Sequence, residues 1–161
     1  MFCKMLPYDG TPIKETLMAQ GRFNGDVCNP DYDFLDPRIA RCYEAIGRTV
    51  GEWVRGSDCV AAMINHAWHE VFVMERLFEP AADLVAYKTA LSAVTKFSNN
   101  ILFSVVEEIC DGFREGGGEC QQYSGLGQIR EQILATLVQQ RNRFVYENQS
   151  WLLKGISKQT L

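Results

Sequence analysis

Little of what most chemistry requires is present in this sequence. Histidine occurs twice, at His66 and His69 in "NHAWHE". Their i, i+3 spacing puts both on one helix face, where Glu70 or Glu107 could complete a metal site. The pattern is not His-Glu-x-x-His and no second ligand cluster stands out, so ordinary helix-surface histidines are expected. The stretch "DYDFLD" has the acidic alternation that opens a calcium loop. It carries Asp36 where the sixth-position glycine belongs and Cys42 where the twelfth-position glutamate belongs. The glycine run Gly116–Gly118 neither follows a strand nor leads into Lys-Ser/Thr, which argues against a phosphate loop. No Gly-x-Ser-x-Gly elbow occurs. Glu107 and Glu108 are helix neighbours roughly 100° apart and cannot face each other across a substrate. The expectation is a non-enzymatic chain with no cofactor and no resident metal.

Basic clusters and long apolar runs are missing too. The formal charge is -4, from 16 Lys and Arg against 20 Asp and Glu. The densest basic group is only "RNR" at Arg141–Arg143, so broad nucleic-acid binding is not expected. No apolar run approaches the roughly 20 residues of a membrane-spanning helix. "MFCKMLPYDG" has neither a basic leader nor an apolar core, and "GISKQTL" is not a hydrophobic tail. A soluble chain without a transmembrane anchor is expected. The six cysteines, Cys3, Cys28, Cys42, Cys59, Cys110 and Cys120, include no Cys-x-x-Cys pair. Several fall on apolar helix faces, where a thiol acts as a small hydrophobe. Unbridged thiols in a reducing, intracellular compartment follow.

What the sequence does hold is amphipathic helix. With 161 residues, 47% of them apolar, one domain with a sizeable core is expected. Residues 1–35 read as an irregular N-terminal arm, punctuated by Pro7, Pro12 and Pro30, with one weak helical segment, "PIKETLMAQG". Residues 36–161 read as the helical domain. Asp36-Pro37 opens a helix with an N-cap and a proline suited to the first helical position. Ile39, Tyr43, Ile46, Val50 and Trp53 form its apolar face, and Gly56 closes it. Ser57 and Asp58 are placed to cap the next helix, with Val60, Met63, Ile64, Ala67, Val71, Met74 and Phe78 as its stripe and Pro80 as its limit. A third stretch covers about 81–95, with Leu84, Val85, Leu91 and Val94 inward. "KFSNN" (Lys96–Asn100) then reads as an interruption, followed by "ILFSVV", apolar all round and so expected in a buried central helix. A flexible connection through Gly116–Glu119 and Ser124–Gly127 leads to a last long helix carrying Ile129, Ile133, Leu137, Arg141 and Phe144 or Val145 on one face. No strand pattern competes. The fold class is all-α: amphipathic helices wrapped around a central hydrophobic one. Such a bundle either closes its core or leaves a groove able to accept a partner's amphipathic helix.

The final segment, "QIREQILATLVQQRNRFVYENQSWLLKGI", resembles the last two helices of the Bcl-2 family of apoptosis regulators. There an amphipathic helix ends in an aromatic-aliphatic pair, a short polar break follows, and a Trp opens a closing helix. Here these are Phe144-Val145, Glu147 to Ser150, and Trp151, with Ser150 where the family has Gly. "AVTKFSNNILFSVV" is similar in position to the family's Asn-Trp-Gly-Arg turn into its central helix, with Lys96, Phe97, Ser98 and Asn99 replacing the motif. "CVAAMINHAWHEVF" resembles the family's own death-motif helix, with Met63 at its Leu position and Ala67-Trp68 where Gly-Asp is common. The likeness spans about Pro37 to Ile156.

The resemblance implies a Bcl-2-like bundle that inhibits apoptosis by holding the amphipathic death-motif helix of a pro-apoptotic partner. Met74, Leu77, Phe78, Leu84, Val85, Lys88, Asn99, Leu102 and Phe103 would line the groove, and Phe97 and Trp151 would mark the motif corners. Leu77, Leu84 and Phe103 are equally readable as core, and Lys88 as a solvated charge. Asn99 stands where the family's Arg pairs with an Asp of the incoming helix. It offers neutral hydrogen bonds worth about 0.5–1.5 kcal/mol net in place of roughly 1.5–3. Apolar anchors must then dominate, and a narrow ligand range is expected. Divergence and compactness resemble a viral homologue, acting in the host cytoplasm or peripherally at mitochondria. Self-association through the groove is a further expectation. The alternatives are a death-promoting, membrane-permeabilising member of the same family, or an unrelated helical scaffold or metal-binding bundle.

Overall fold

A computed structural model describes residues 4–77, 82–116, 123 and 125–153. The architecture is all-α: α1 (Pro12–Ala19), α2 (Pro37–Val54), α3 (Val60–Leu77), α4 (Ala82–Arg114) and α5 (Leu126–Glu147), followed by a short helical segment at 149–153. Phe78, Pro80 and most of the glycine-rich connection (117–119 and 124) lie outside the described residues. No helix among the described residues is long and apolar enough to cross a membrane. The chain divides into two compact units. The first comprises Met1–Arg48 with Ile109–Cys120, the second Thr49–Glu108 with Gln121–Leu161.

In the first unit, α1 begins at Pro12, whose fixed backbone angle suits the first turn. The stretch after it is closed by an isolated antiparallel bridge between Phe23 and Tyr32. Within the N-terminal arm, Leu17 and Pro7 are buried. Asp36 caps α2, its Oδ1 accepting the Arg38 N–H at 2.8 Å. Hydrogen bonds from the Arg38 side chain and backbone hold the Asp36 carboxyl below the ordinary carboxylate range. Ala45 and Ile46 are buried, while Ile39, expected inward, is exposed. The Sγ atoms of Cys42 and Cys110 stand 3.8 Å apart, too far for a disulfide.

The second unit holds most of the buried apolar residues. Val60, Ile64, Ala67 and Val71 form the inner stripe of α3 as its periodicity predicts, and Ile133, Leu137 and Phe144 form that of α5. These two helices pack against each other, and Arg141 Nε reaches both oxygens of Glu70 at 2.9 Å across them. The cap of α3 is not Ser57 or Asp58. The helix begins at Val60, and the Ala62 N–H points to Cys59 Sγ at 3.3 Å, so the buried thiol stands at the capping position.

The largest departure is at "KFSNN". No turn interrupts the chain there, and α4 runs unbroken for 33 residues. Its buried positions explain why. Leu84, Leu91, Ser98 and Val105 recur every seven residues, so Ser98 continues the inner stripe instead of ending it. The hydroxyl of Ser98 accepts the Trp53 indole N–H at 3.0 Å, satisfying both groups in the interior. Ser98→Ala therefore leaves a buried donor unpaired and costs about 1–3 kcal/mol in urea unfolding. A loss within 0.5 kcal/mol would mean that the bond contributes nothing. The "ILFSVV" segment is likewise not enclosed on all sides. Val105 and Val106 are buried, but Phe103 is 54% exposed and Ser104 is exposed.

The closing corner is tighter than the four polar residues suggest. Only Asn148 leaves the helical conformation; Glu147 belongs to α5, and Gln149 and Ser150 are helical again. Asn148 is buried, and both its backbone N–H and its Nδ2 donate to the Phe144 carbonyl, at 3.1 and 2.9 Å. Its own carbonyl accepts the N–H groups of Trp151 and Leu152 at 3.1 and 3.0 Å. Trp151 packs edge-on to Phe144, with centroids 6.4 Å apart, and Phe144 stacks on Tyr87 of α4 at 4.9 Å.

Candidate functional site

Within the second unit, α4 leaves a depression of about 590 Å³ beside Trp68 of α3. Trp68 is fixed by its indole N–H, which donates to Thr95 Oγ1 at 3.1 Å; that hydroxyl in turn donates to the Leu91 carbonyl. The rest of the lining comes from α4: Val85, Lys88, Thr89, Ser92, Ala93 and Lys96. Val85, Thr89, Ser92 and Lys96 recur at intervals of four, three and four, one stripe of the helix. The small side chains of Ser92 and Ala93 leave the space, and Trp68 walls it. Lys88 and Lys96 make the lining cationic. Lys88 Nζ is held by Glu75 of α3 at 2.6 Å, a pair open to solvent on both sides.

Of the residues expected to line a groove, Val85 and Lys88 lie in this depression. Val85 is 68% exposed, pointing outward where the α4 periodicity predicts inward. Leu84 is only 7% exposed and belongs to the interior. A charge there would have to be desolvated and would destabilise the unit. Met74 is half-buried and Leu77 exposed on the last turns of α3, and Phe78 lies outside the described residues. Asn99 and Phe103 are exposed and Leu102 half-buried, further along α4. Val85 and Phe103 are 18 residues apart, about 27 Å along the axis at a rise of 1.5 Å per residue, and five full turns bring them back to the same face. Phe97 is exposed in the middle of α4 instead of marking a corner, and Trp151 is half-buried against Phe144.

Sequence reasoning passed over Thr89, Ser92 and Ala93. The available signal was a run of small side chains bracketed by lysines on one stripe of a helix whose other stripe is Leu84, Leu91 and Ser98. In the sequence Trp68 stands out only as a departure from Gly-Asp.

The histidines stay on the outside. Both are exposed, and His69 stacks on Phe72 with centroids 6.5 Å apart. No group of three or more metal-ligating side chains comes together among the described residues. A smaller cavity of about 140 Å³ lies between α4 and α5, lined by Tyr87, Phe144, Arg143 and Glu147 among others. Burial, and then the nearby Glu70 carboxylate, push the Tyr87 hydroxyl above the usual tyrosine range, so it stays protonated through the physiological range. Compared with protein-family models, with curated proteins and with solved structures, the chain finds no match in any of the three.

Proposed function

We propose that this chain is a non-enzymatic inhibitor of apoptosis that holds the amphipathic death-motif helix of a pro-apoptotic partner against the α3–α4 face. The observation that carries the reading is the depression beside Trp68, with outward-facing Val85 as its apolar anchor and Lys88 and Lys96 as its charges. The tight corner at Asn148, with Trp151 folded onto Phe144, supports the resemblance from which the death-motif partner is taken. Eight residues separate the two lysines, about 12 Å of helix. A partner helix with apolar residues at i and i+4 and carboxylates roughly two turns apart would meet both. Lysine charge here takes the place of the family's arginine, which Asn99 does not supply.

Calorimetric titration with a panel of death-motif peptides tests this. At least one peptide binds the wild type, and Val85→Glu weakens it about tenfold or more, the loss of an anchor worth about 1.4 kcal/mol or above. Because Val85 is exposed, the helix content by circular dichroism stays unchanged. Binding indifferent to Val85→Glu would remove the site, and a panel with no binder would remove the function.

The unbroken α4 favours one other reading, a helical interaction module outside the Bcl-2 family that uses the same face. Capture of helices with no death-motif pattern, at affinities equal to those of the panel, would select it.

A further inference from the structure

The first unit contains an arrangement that helix docking does not use. Between α1 and α2 the chain doubles back through the Phe23–Tyr32 bridge. Gly25 lies so close to the returning strand of this loop that a Cβ there would sit 2.1 Å from the Asp31 nitrogen. The Asn24 and Gly25 N–H groups both donate to the Asp31 carbonyl, at 3.1 and 3.3 Å. That tight closure presents Tyr32 and Phe34 edge to face, with centroids 5.7 Å apart, and Phe34 continues onto Tyr43 of α2 at 5.7 Å.

Into this group of rings reaches the ammonium of Lys4. It stands 4.4 Å from the Tyr32 centroid and 4.9 Å from that of Phe34. It donates to Asp31 Oδ1 at 2.6 Å and to the Tyr32 carbonyl. The Lys4 backbone N–H donates to the Tyr43 hydroxyl at 3.3 Å. Two ring faces, a carboxylate and a carbonyl make a set of contacts that recognises an N–H-bearing ammonium. The bond to Lys4 also holds the Asp31 carboxyl below its ordinary range, as expected of a carboxylate bound to a cation. A cavity of about 640 Å³ opens beside this group, and its lining includes Asp31, Asp33 and Glu44 against the single cation Lys4.

We infer that this is an ammonium-binding site occupied by the chain's own Lys4, and that an aliphatic polyamine competes with Lys4 for it. One amino group takes the place of Lys4 Nζ between the rings and Asp31. The alkyl chain follows the cavity, and a second amino group meets the carboxylates of Asp33 or Glu44. A polyamine fits better than a quaternary ammonium because Asp31 and the Tyr32 carbonyl both require N–H donors.

The test is calorimetric titration of the full chain with spermidine. Lys4→Ala binds at least tenfold more tightly than the wild type, since the competing ammonium is gone. Adding Asp31→Asn or Phe34→Leu to Lys4→Ala reverses the gain. Tetramethylammonium, which has no N–H, binds Lys4→Ala at least tenfold more weakly than spermidine does. If circular dichroism shows Lys4→Ala altered, Lys4→Gln removes the charge with most of the stem retained and takes its place. Equal spermidine affinity in the wild type and the Lys4 variant overturns the inference. So does a gain that survives Asp31→Asn and Phe34→Leu together, because that is non-specific attraction to an acidic surface. Lysine-containing peptides that outcompete spermidine would also overturn it, reassigning the site to a protein ligand. None of these outcomes depends on Val85 or on helix binding.

Discussion

Leu91→Ala lowers the free energy of unfolding by about 2–5 kcal/mol. Leu91 is 1% exposed, among the most completely enclosed side chains in the chain, and stands midway between Leu84 and Ser98 on the inner stripe of α4. Truncation removes the transfer free energy of the lost carbons and leaves a cavity that surrounding helices fill only partly. Alanine is the better helix former, so propensity cannot account for the loss. Val85→Ala is the matched control, six residues earlier and about 120° round the helix on the outward stripe, and changes stability by no more than about 0.5 kcal/mol. Urea denaturation of both variants measures the difference. Equal effects at the two positions would contradict the assignment of inner and outer stripes on which the proposed docking face depends.

Asn99→Pro costs about 3 kcal/mol or more relative to Asn99→Ala. The two readings of "KFSNN" disagree most sharply here. In an interrupted chain, position 99 sits in a polar turn, where proline is readily accepted. In the structure it lies inside a 33-residue helix, and proline removes the bond from its own N–H to the Thr95 carbonyl and drives its ring into that carbonyl. The Asn99 side chain is exposed, so the alanine variant subtracts its contribution cleanly. Unfolding curves and helix content by circular dichroism together decide the matter. A proline variant as stable as the alanine variant would restore the turn, and with it the stronger likeness to the Bcl-2 arrangement.

The existence of helices was legible because their stripes are long and regular. Val60, Ile64, Ala67 and Val71 on α3, and Ile133, Leu137 and Phe144 on α5, are buried as their spacing requires. Local chemistry was harder to read. Lys96, Ser98, Asn99 and Asn100 are individually weak helix formers or solvated residues, and together they look like a stop. The register across them says otherwise. Leu84, Leu91, Ser98 and Val105 keep step, and tertiary burial of the Ser98–Trp53 bond outweighs the local preference. The cap of α3 was missed because Ser57 and Asp58 are the stronger capping types, whereas Cys59 fills the position by being buried there. For the candidate site, Val85 and Lys88 enter only through the family resemblance, and periodicity by itself assigns Val85 to the interior. A helix carrying apolar residues on two stripes gives no sign of which one its neighbours cover. The Lys4 cage could not be read at all, since it joins residues 4, 31, 32, 34 and 43 through a loop whose course depends on one glycine.

The Asn148 corner has a mechanical meaning. One residue terminates α5 through its N–H and side-chain amide and starts the next helical turn through its carbonyl, so no slack separates the two segments. Trp151 is therefore aimed by the winding of α5 itself. A single added residue between Phe144 and Trp151 would swing the indole by about 100° away from the ring it now meets. At this joint, chain length is as strict a requirement as the identity of the aromatic.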